Sequence, residues 1–302
     1  MNAIKTVFLL VLLSGLFLVL GYAVGGQVGL IVALVFSVGM NFFSYWFSDK
    51  LALKMTGAKE VTPDQEPHLH RIVDEVSALA GMPKPKVYLI QNDAPNAFAT
   101  GRNAKHSAVA ATTGIMRILD DRELTAVLGH ELGHVRNHDI LVSAIVATVA
   151  SAIMFIAFIG RWSLLFGFGR SRNGNGMIQL VAMLAMIILA PLAATMIRMA
   201  VSRQREYGAD ETGAQITHTP LALASALEKL ETYSQARPMN VNPAVSHLFI
   251  VNPLRRSRPQ NEEEGGDMMM GFFGSDTFST HPPIRKRVER LNEIARKMGS
   301  FS

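Results

Sequence analysis

Polar and apolar positions in this chain segregate into long blocks, unlike the short alternations of a soluble enzyme. Residues 6–24 are almost uninterrupted apolar sequence, and after Gly25 and Gly26 a second block runs over 28–47 and ends in Tyr45 and Trp46, an interfacial aromatic pair. Two more blocks follow at 140–160 and 178–197. A bilayer core takes about 20 apolar residues of helix, so each block is long enough to span. Pro191 bends the fourth without forbidding it. The pattern predicts four transmembrane helices in two hairpins. A cleaved secretory signal is the alternative for the first block, but its apolar core is too long and no small-residue cleavage site follows. For the later pair the alternative is buried core helices of a soluble domain.

Between and after the hairpins the periods shorten to those of a folded domain. Residues 68–80 predict a helix with Leu69, Ile72, Val73, Val76 and Leu79 inward, closed by Gly81 and the Pro83-Lys84-Pro85 stop, with His68 and His70 facing solvent. Residues 86–90 predict a strand. Asn96, Ala97, Phe98, Ala99 and Thr100 pair in a hairpin with residues 107–113 around Gly101-Arg102-Asn103. Leu124, Val127, Leu128, Leu132 and Val135 recur at helical spacing behind Asp120 and Asp121, so a helix runs to about Asn137. Further helices are expected from 206 through 214, over 221–230, and over 284–298. Residues 255–277 mix charges, glycines, methionines and phenylalanines without a period, and are expected to be a loop, disordered or serving as a lid. The fold class is therefore a mainly α integral membrane protein with a small α+β domain. It divides as 1–50 (first hairpin), 51–139 (first part of the domain), 140–200 (second hairpin) and 201–302 (second part).

Composition agrees. The chain is 49% hydrophobic, has no cysteine, and carries a net charge of +5 with a pI near 9.6. Such a surplus suits a membrane surface as well as nucleic acid, but no nucleic-acid motif is present. Lys5, Lys50, Lys54, Arg136, Arg198, Arg203 and Arg205 fall on one side of the predicted hairpins, which places that side in the cytoplasm. Arg161, Arg170 and Arg172 lie on the other side and oppose this.

The candidate chemistry is His130-Glu131-Leu132-Gly133-His134. At i and i+4, two imidazoles stack on one helical face about 6 Å apart and can grip one metal ion. Glu131 beside them can act as general base toward the attacking water without occupying a ligand position. Buried, hydrogen-bonded core histidines are the plainer alternative, and a second matching element is needed. The extended form of the motif is excluded, because Asn137 and Ile140 stand where it needs Gly and His. With no cysteine, the third ligand must be His, Asp or Glu. Glu206 and Asp210, one helical turn apart, offer a ligand and a carboxylate to orient a ligating imidazole. Ordinary surface ion pairs with Arg203 and Arg205 are their alternative. A second hairpin between the two motifs would bring His134 toward Glu206. A zincin-like domain follows, holding one Zn2+ per chain. Ala97 to Thr100 would be a sheet edge on which an extended polypeptide adds as a strand.

Four stretches together resemble the HtpX family of membrane-bound zinc proteases linked to heat shock, within the larger group that includes the CAAX prenyl proteases. They are residues 95–101 (PNAFATG), 126–134 (AVLGHELGH), 202–210 (SRQREYGAD) and 280–285 (THPPIR). The resemblance covers nearly the whole chain. It implies proteolysis of misfolded or damaged membrane proteins at the cytoplasmic face of the bacterial cytoplasmic membrane, with His130, His134 and Glu206 on zinc and Glu131 as base. It also implies a place for His281 near the catalytic centre, where it would donate to the developing oxyanion; a plain helix-start role before Pro282 and Pro283 is the alternative. A prenyl-peptide protease with an intramembrane chamber would need more spanning helices. A membrane scaffold or chaperone would have no use for ligands and base together.

Overall fold

The computed structural model describes residues 2–165, 176–236, 250 and 282–299. It is mostly helical with one small sheet. Two compact units divide it, Met1–Tyr45 with Leu141–Gln204 and Trp46–Ile140 with Arg205–Ser302.

The first unit is all helix. α1 (Asn2–Thr56) breaks at Gly26, whose φ of 55° and ψ of −151° lie in glycine territory. The chain reverses there. A Cβ added to Gly21 would meet Leu30 Cδ1 at 2.4 Å, whereas nine residues of straight helix separate two positions by about 13 Å. The small side of the turn is what lets the two arms close. α5 (Asp139–Leu165) and the first part of α6 (Gly176–Thr217) complete the unit, with Pro191 inside α6. Leu13, Phe17, Leu20, Ala33, Ile153, Ile156 and Ala194 form its buried core, and Phe36 stacks on Phe155 with centroids 4.8 Å apart. Large apolar side chains also face outward, among them Phe8, Val19, Tyr22, Val28, Val35, Phe158 and Ile188. Hydrating so many exposed apolar groups would be unfavourable in water, whereas lipid accommodates them without that cost. Among the described residues one helical segment, Asp139–Ile159, is long and apolar enough to cross a membrane, with 21 residues and a mean hydropathy of 2.5. Val11–Tyr22 and Gly25–Phe36 are shorter apolar helices.

The second unit is α+β. Its sheet has the order β1 (Lys59–Glu60), β2 (Lys86–Ile90), β4 (His106–Thr112), β3 (Ala97–Asn103); β2 and β4 are parallel, the other pairs antiparallel. Strand alternation sorts the side chains. Val87, Leu89, Ala97, Val109 and Ala111 face the main core, while Ile90, Phe98 and Ala110 face the other side, where Ala52 at the end of α1 packs on them. The main core is filled by α2 (Pro67–Ala80), α4 (Asp121–Arg136), α7 (Pro220–Ala236) and α8 (Ile284–Met298), through Leu69, Ile72, Leu124, Leu128, Leu227 and Leu291 among others. α3 (Thr113–Ile118) is a short turn capped by the Thr112 hydroxyl. The expected β-hairpin is present, but its turn falls later than Gly101-Arg102-Asn103, because β3 continues to Asn103 through an irregularity at Gly101, φ 121°. His70 departs from its expected solvent-facing role: it is buried, with Nε2 2.9 Å from the Val61 carbonyl.

Candidate active site

α4 presents the site, and its N-terminus explains why it is firm. Asp120 accepts from the Glu123 amide at 2.8 Å while Glu123 accepts from the Asp120 amide at 3.1 Å, a reciprocal cap that satisfies two donors left over by the first turn. Glu123 is buried and also accepts from Ser225 Oγ and Lys229 Nζ, each at 2.7 Å, so the same carboxylate ties α4 to α7. Residues 205–217 of α6 pack against α4 through glycine. A Cβ at Gly213 would lie 2.7 Å from the His130 amide nitrogen, and one at Gly129 would lie 2.4 Å from Thr217 Cγ2. Missing side chains on both helices allow the backbones to approach closely enough for ligands from each to meet.

They do meet. Donor atoms of His130, His134 and Glu206 all lie within 4.8 Å of one another. His130 Nε2 is 3.8 Å from Glu206 Oε2, and His134 Nε2 is 3.6 Å from Glu206 Oε1. Ligand atoms at tetrahedral zinc are separated by about 3.4 Å, so this set fits a zinc ion with little adjustment. The other ring nitrogens are already occupied. His130 Nδ1 is 3.0 Å from Asp210 Oδ1, and His134 Nδ1 is 2.6 Å from Asp139 Oδ2. Carboxylates on both Nδ1 atoms fix the tautomer that turns each Nε2 toward a metal.

Sequence reasoning placed Asp210 beside a ligating imidazole but missed Asp139. Its signal is an acidic residue opening an apolar block, which is easily taken for a helix cap. The carboxylate returns to His134 because His138 adopts a left-handed conformation, φ 56°, after the end of α4. Arg287 was missed as well, since one arginine among the six basic residues of α8 carries no distinguishing mark. It is 1% exposed and grips Asp210 through Nε at 2.9 Å and Nη2 at 2.6 Å, with Nη1 3.5 Å from Glu206 Oε2. His281 lies outside the described residues, as does the 255–277 segment.

Electrostatics follow from burial and partners. Burial pushes Glu131 up to about 7, only partly offset by the charge of His134 and the bond from Ala99. Burial would raise Asp210 too, but Arg287 and His130 outweigh it and bring it down to about 2. Burial, followed by the Arg287 charge, lowers His130 despite Asp210. His134 is raised: burial opposes this, but Asp139 and Glu206 outweigh it.

Glu131 Oε2 accepts from the Ala99 amide at 2.8 Å, so this carboxylate is tied to strand β3. Among the described residues β3 lies at the edge of the sheet. The Ala99 amide points to Glu131 and the Ala97 carbonyl accepts from the Ile250 amide at 3.3 Å, so these residues direct backbone groups away from β4. Asn96 is buried; its amide donates to Thr112 Oγ1 at 2.9 Å and its Oδ1 accepts from the Ala97 amide at 3.2 Å. Phe98 and Thr100 are buried as well.

The chain is similar to known proteins over nearly its whole length. Residues 63–295 match the model of Peptidase family M48. Relatives described as Protease HtpX homolog include that of Aquifex aeolicus, 49% identical over 290 residues covering 95% of this chain and 91% of that protein. Another, from Persephonella marina, is 49% identical over 304 residues, 99% of this chain and all of its own length (100%). The one from Pyrococcus furiosus is 47% identical over 298 residues, 98% and 97% respectively. The crystal structure of S. mikatae Ste24p is similar in fold, with a TM-score of 0.50 and 21% identity over 95% of this chain and 67% of that one. A helix-borne His-Glu-x-x-His, a glutamate brought beside it, and these matches lead to one conclusion: the chain belongs to peptidase family M48 and is a zinc metalloendopeptidase.

Proposed function

We propose that this peptidase is a multi-pass protein of the bacterial cytoplasmic membrane that cleaves misfolded or damaged membrane proteins at the cytoplasmic face, as part of quality control under stress. The observation that carries the reading is the bond between Glu131 and Ala99, which joins the base to a sheet edge. An extended polypeptide laid along Asn96 to Thr100 would bring a scissile bond beside Glu131, His130, His134 and Glu206. Backbone pairing gives such an edge affinity without strict demands on sequence, which suits a substrate class defined by being unfolded.

His130, His134 and Glu206 would hold a zinc ion, which when bound would supply Lewis acidity toward the scissile carbonyl and the attacking water. Glu131 takes the proton of the attacking water and delivers it to the leaving amine. Burial raises the affinity of the Glu131 carboxylate for that proton. Asp210 and Asp139 keep the imidazoles in register. His281 is proposed to donate to the oxyanion.

Four spanning helices in two hairpins are supported by the four apolar blocks, the reversal at Gly26 and the outward-facing apolar side chains of the first unit. His134 is only a few residues from the apolar run of α5, and Glu206 a few residues after that of α6. Both ligand segments would thus emerge at the same bilayer face, where segments leaving a damaged membrane protein first become available.

The test is casein digestion by purified protein with and without chelator, alongside metal analysis of two variants. Glu131→Gln is expected to keep one zinc and lose peptidase activity; Glu206→Ala is expected to lose both. Full cleavage by Glu131→Gln would overturn the mechanism. Chelator-insensitive cleavage would overturn the metal assignment.

A further inference from the structure

We infer that Arg287, on the last helix, is a positioning residue that sets Asp210, and through it His130, in the geometry that receives the metal. The inference rests on the ligand set proposed above.

Arg287 heads the largest fully buried side chains, and it comes from an element that contributes neither ligand nor base. Its guanidinium meets Asp210 as a two-pronged fork, Nε on Oδ2 at 2.9 Å and Nη2 on Oδ1 at 2.6 Å. Oδ1 is at the same time 3.0 Å from His130 Nδ1. One carboxylate oxygen is therefore shared between an arginine 77 residues away in sequence and a ligating histidine. The fork engages both oxygens and fixes the carboxylate plane, so only one direction remains for the imidazole N–H. It also prevents a carboxylate one turn from Glu206 from swinging round to become a ligand itself. Nη1 is 3.4 Å from the Ile250 carbonyl, and the Ile250 amide reaches the Ala97 carbonyl on β3, so the same side chain braces the strand edge. A guanidinium buried this deeply is poor value as a stabiliser, because apolar packing of equal volume does as well. Orientation is the task for which its five donors in a plane have no substitute.

The experiment measures zinc affinity of full-length detergent-solubilised protein by competition with a chromophoric chelator, in a Glu131→Gln background that stops self-digestion. Arg287→Met is expected to weaken zinc binding about 10- to 100-fold, the usual cost of losing an orienting partner. Arg287→Lys, which keeps the charge but not the fork, should fall between Met and the parent, and it replaces the Met variant if that one does not fold. Combined with Asp210→Asn, Arg287→Met should cost less than it does alone, because most of its effect passes through the Asp210 carboxylate. Leu291→Ala, a core truncation on the same helix, should lower the unfolding temperature and leave the affinity of the folded protein unchanged. The inference is overturned if Arg287→Met and Arg287→Lys bind zinc like the parent, if Leu291→Ala weakens zinc equally, or if the double variant loses the full product of the single effects. A parent protein that holds no zinc, or a His130→Ala variant that holds it as tightly, would instead overturn the ligand assignment.

Discussion

Glu131 is a residue whose chemistry opposes its own folding. Its carboxyl starts at 4.5 in the unfolded chain and stands near 7 in the folded one, mainly because it is buried. A raised value means that folding is penalised as the unfolded state releases a proton that the folded state retains. Stability is therefore full below about pH 4.5 and lost as pH rises through about 7, by up to about 3 kcal/mol. Asp210 has the opposite sign, but its loss begins only below its ordinary 3.8, outside this window. The chelated Glu131→Gln protein should accordingly melt higher than the chelated parent at pH 8 and alike at pH 4.5. Equal melting at pH 8 would show that the carboxylate is not penalised. At this scale the sequence pointed to three residues that the structure gathers in one place, His130, His134 and Glu206, since metal chemistry restricts residue type and spacing. It was a poor guide to Asp139 and Arg287, whose roles depend on a left-handed turn at His138 and on a helix packed from far along the chain.

Elements carry information of a different kind, written in what is absent. α4 and the end of α6 approach through Gly129, Gly133 and Gly213, and at Gly213 the obstruction to a Cβ is the backbone of His130 itself, at 2.7 and 2.8 Å. Backbone cannot step aside as a side-chain tip can. Gly213→Ala should cost about 1–3 kcal/mol through separation of the helices and should weaken zinc binding at the same time. Gly15→Ala, where no atom lies within 4 Å, is the matched control and should be neutral or slightly stabilising. Circular dichroism melting with zinc titration distinguishes the two; an unaffected Gly213→Ala protein would mean that the helices tolerate separation. Helix positions were legible in the sequence from their 3.6-residue period and caps, down to the end of α4 at Asn137 and the 284–298 helix. The turn of the β3–β4 hairpin was not, because Gly101 invites a turn prediction where the structure instead bends a continuing strand. His70 was misplaced for a related reason: its partner is a backbone carbonyl, which no side-chain pattern reveals.

For the whole molecule, the coarse blocks of apolar sequence predict four spans, and among the described residues one helical segment, Asp139–Ile159, is long and apolar enough to be such a span. The reversal within α1 follows from Gly26, yet membrane crossing and orientation rest on composition and on basic residues. A tag fused after Ser302 should be digested by added protease in inverted membrane vesicles and protected in intact spheroplasts; the reverse pattern would put the zinc site outside the cytoplasm. The proposed use of the β3 edge by substrate has a further consequence for the cell. A polypeptide can offer N–H and C=O groups to that edge only while its own helices and sheets are not using them. Cleavage would then follow the fraction of time a segment stands open, so two substrates alike at the scissile bond but differing by about 1.4 kcal/mol in local opening would differ about tenfold in rate. Such an enzyme gauges the thermodynamic stability of its neighbours and converts it into their lifetime.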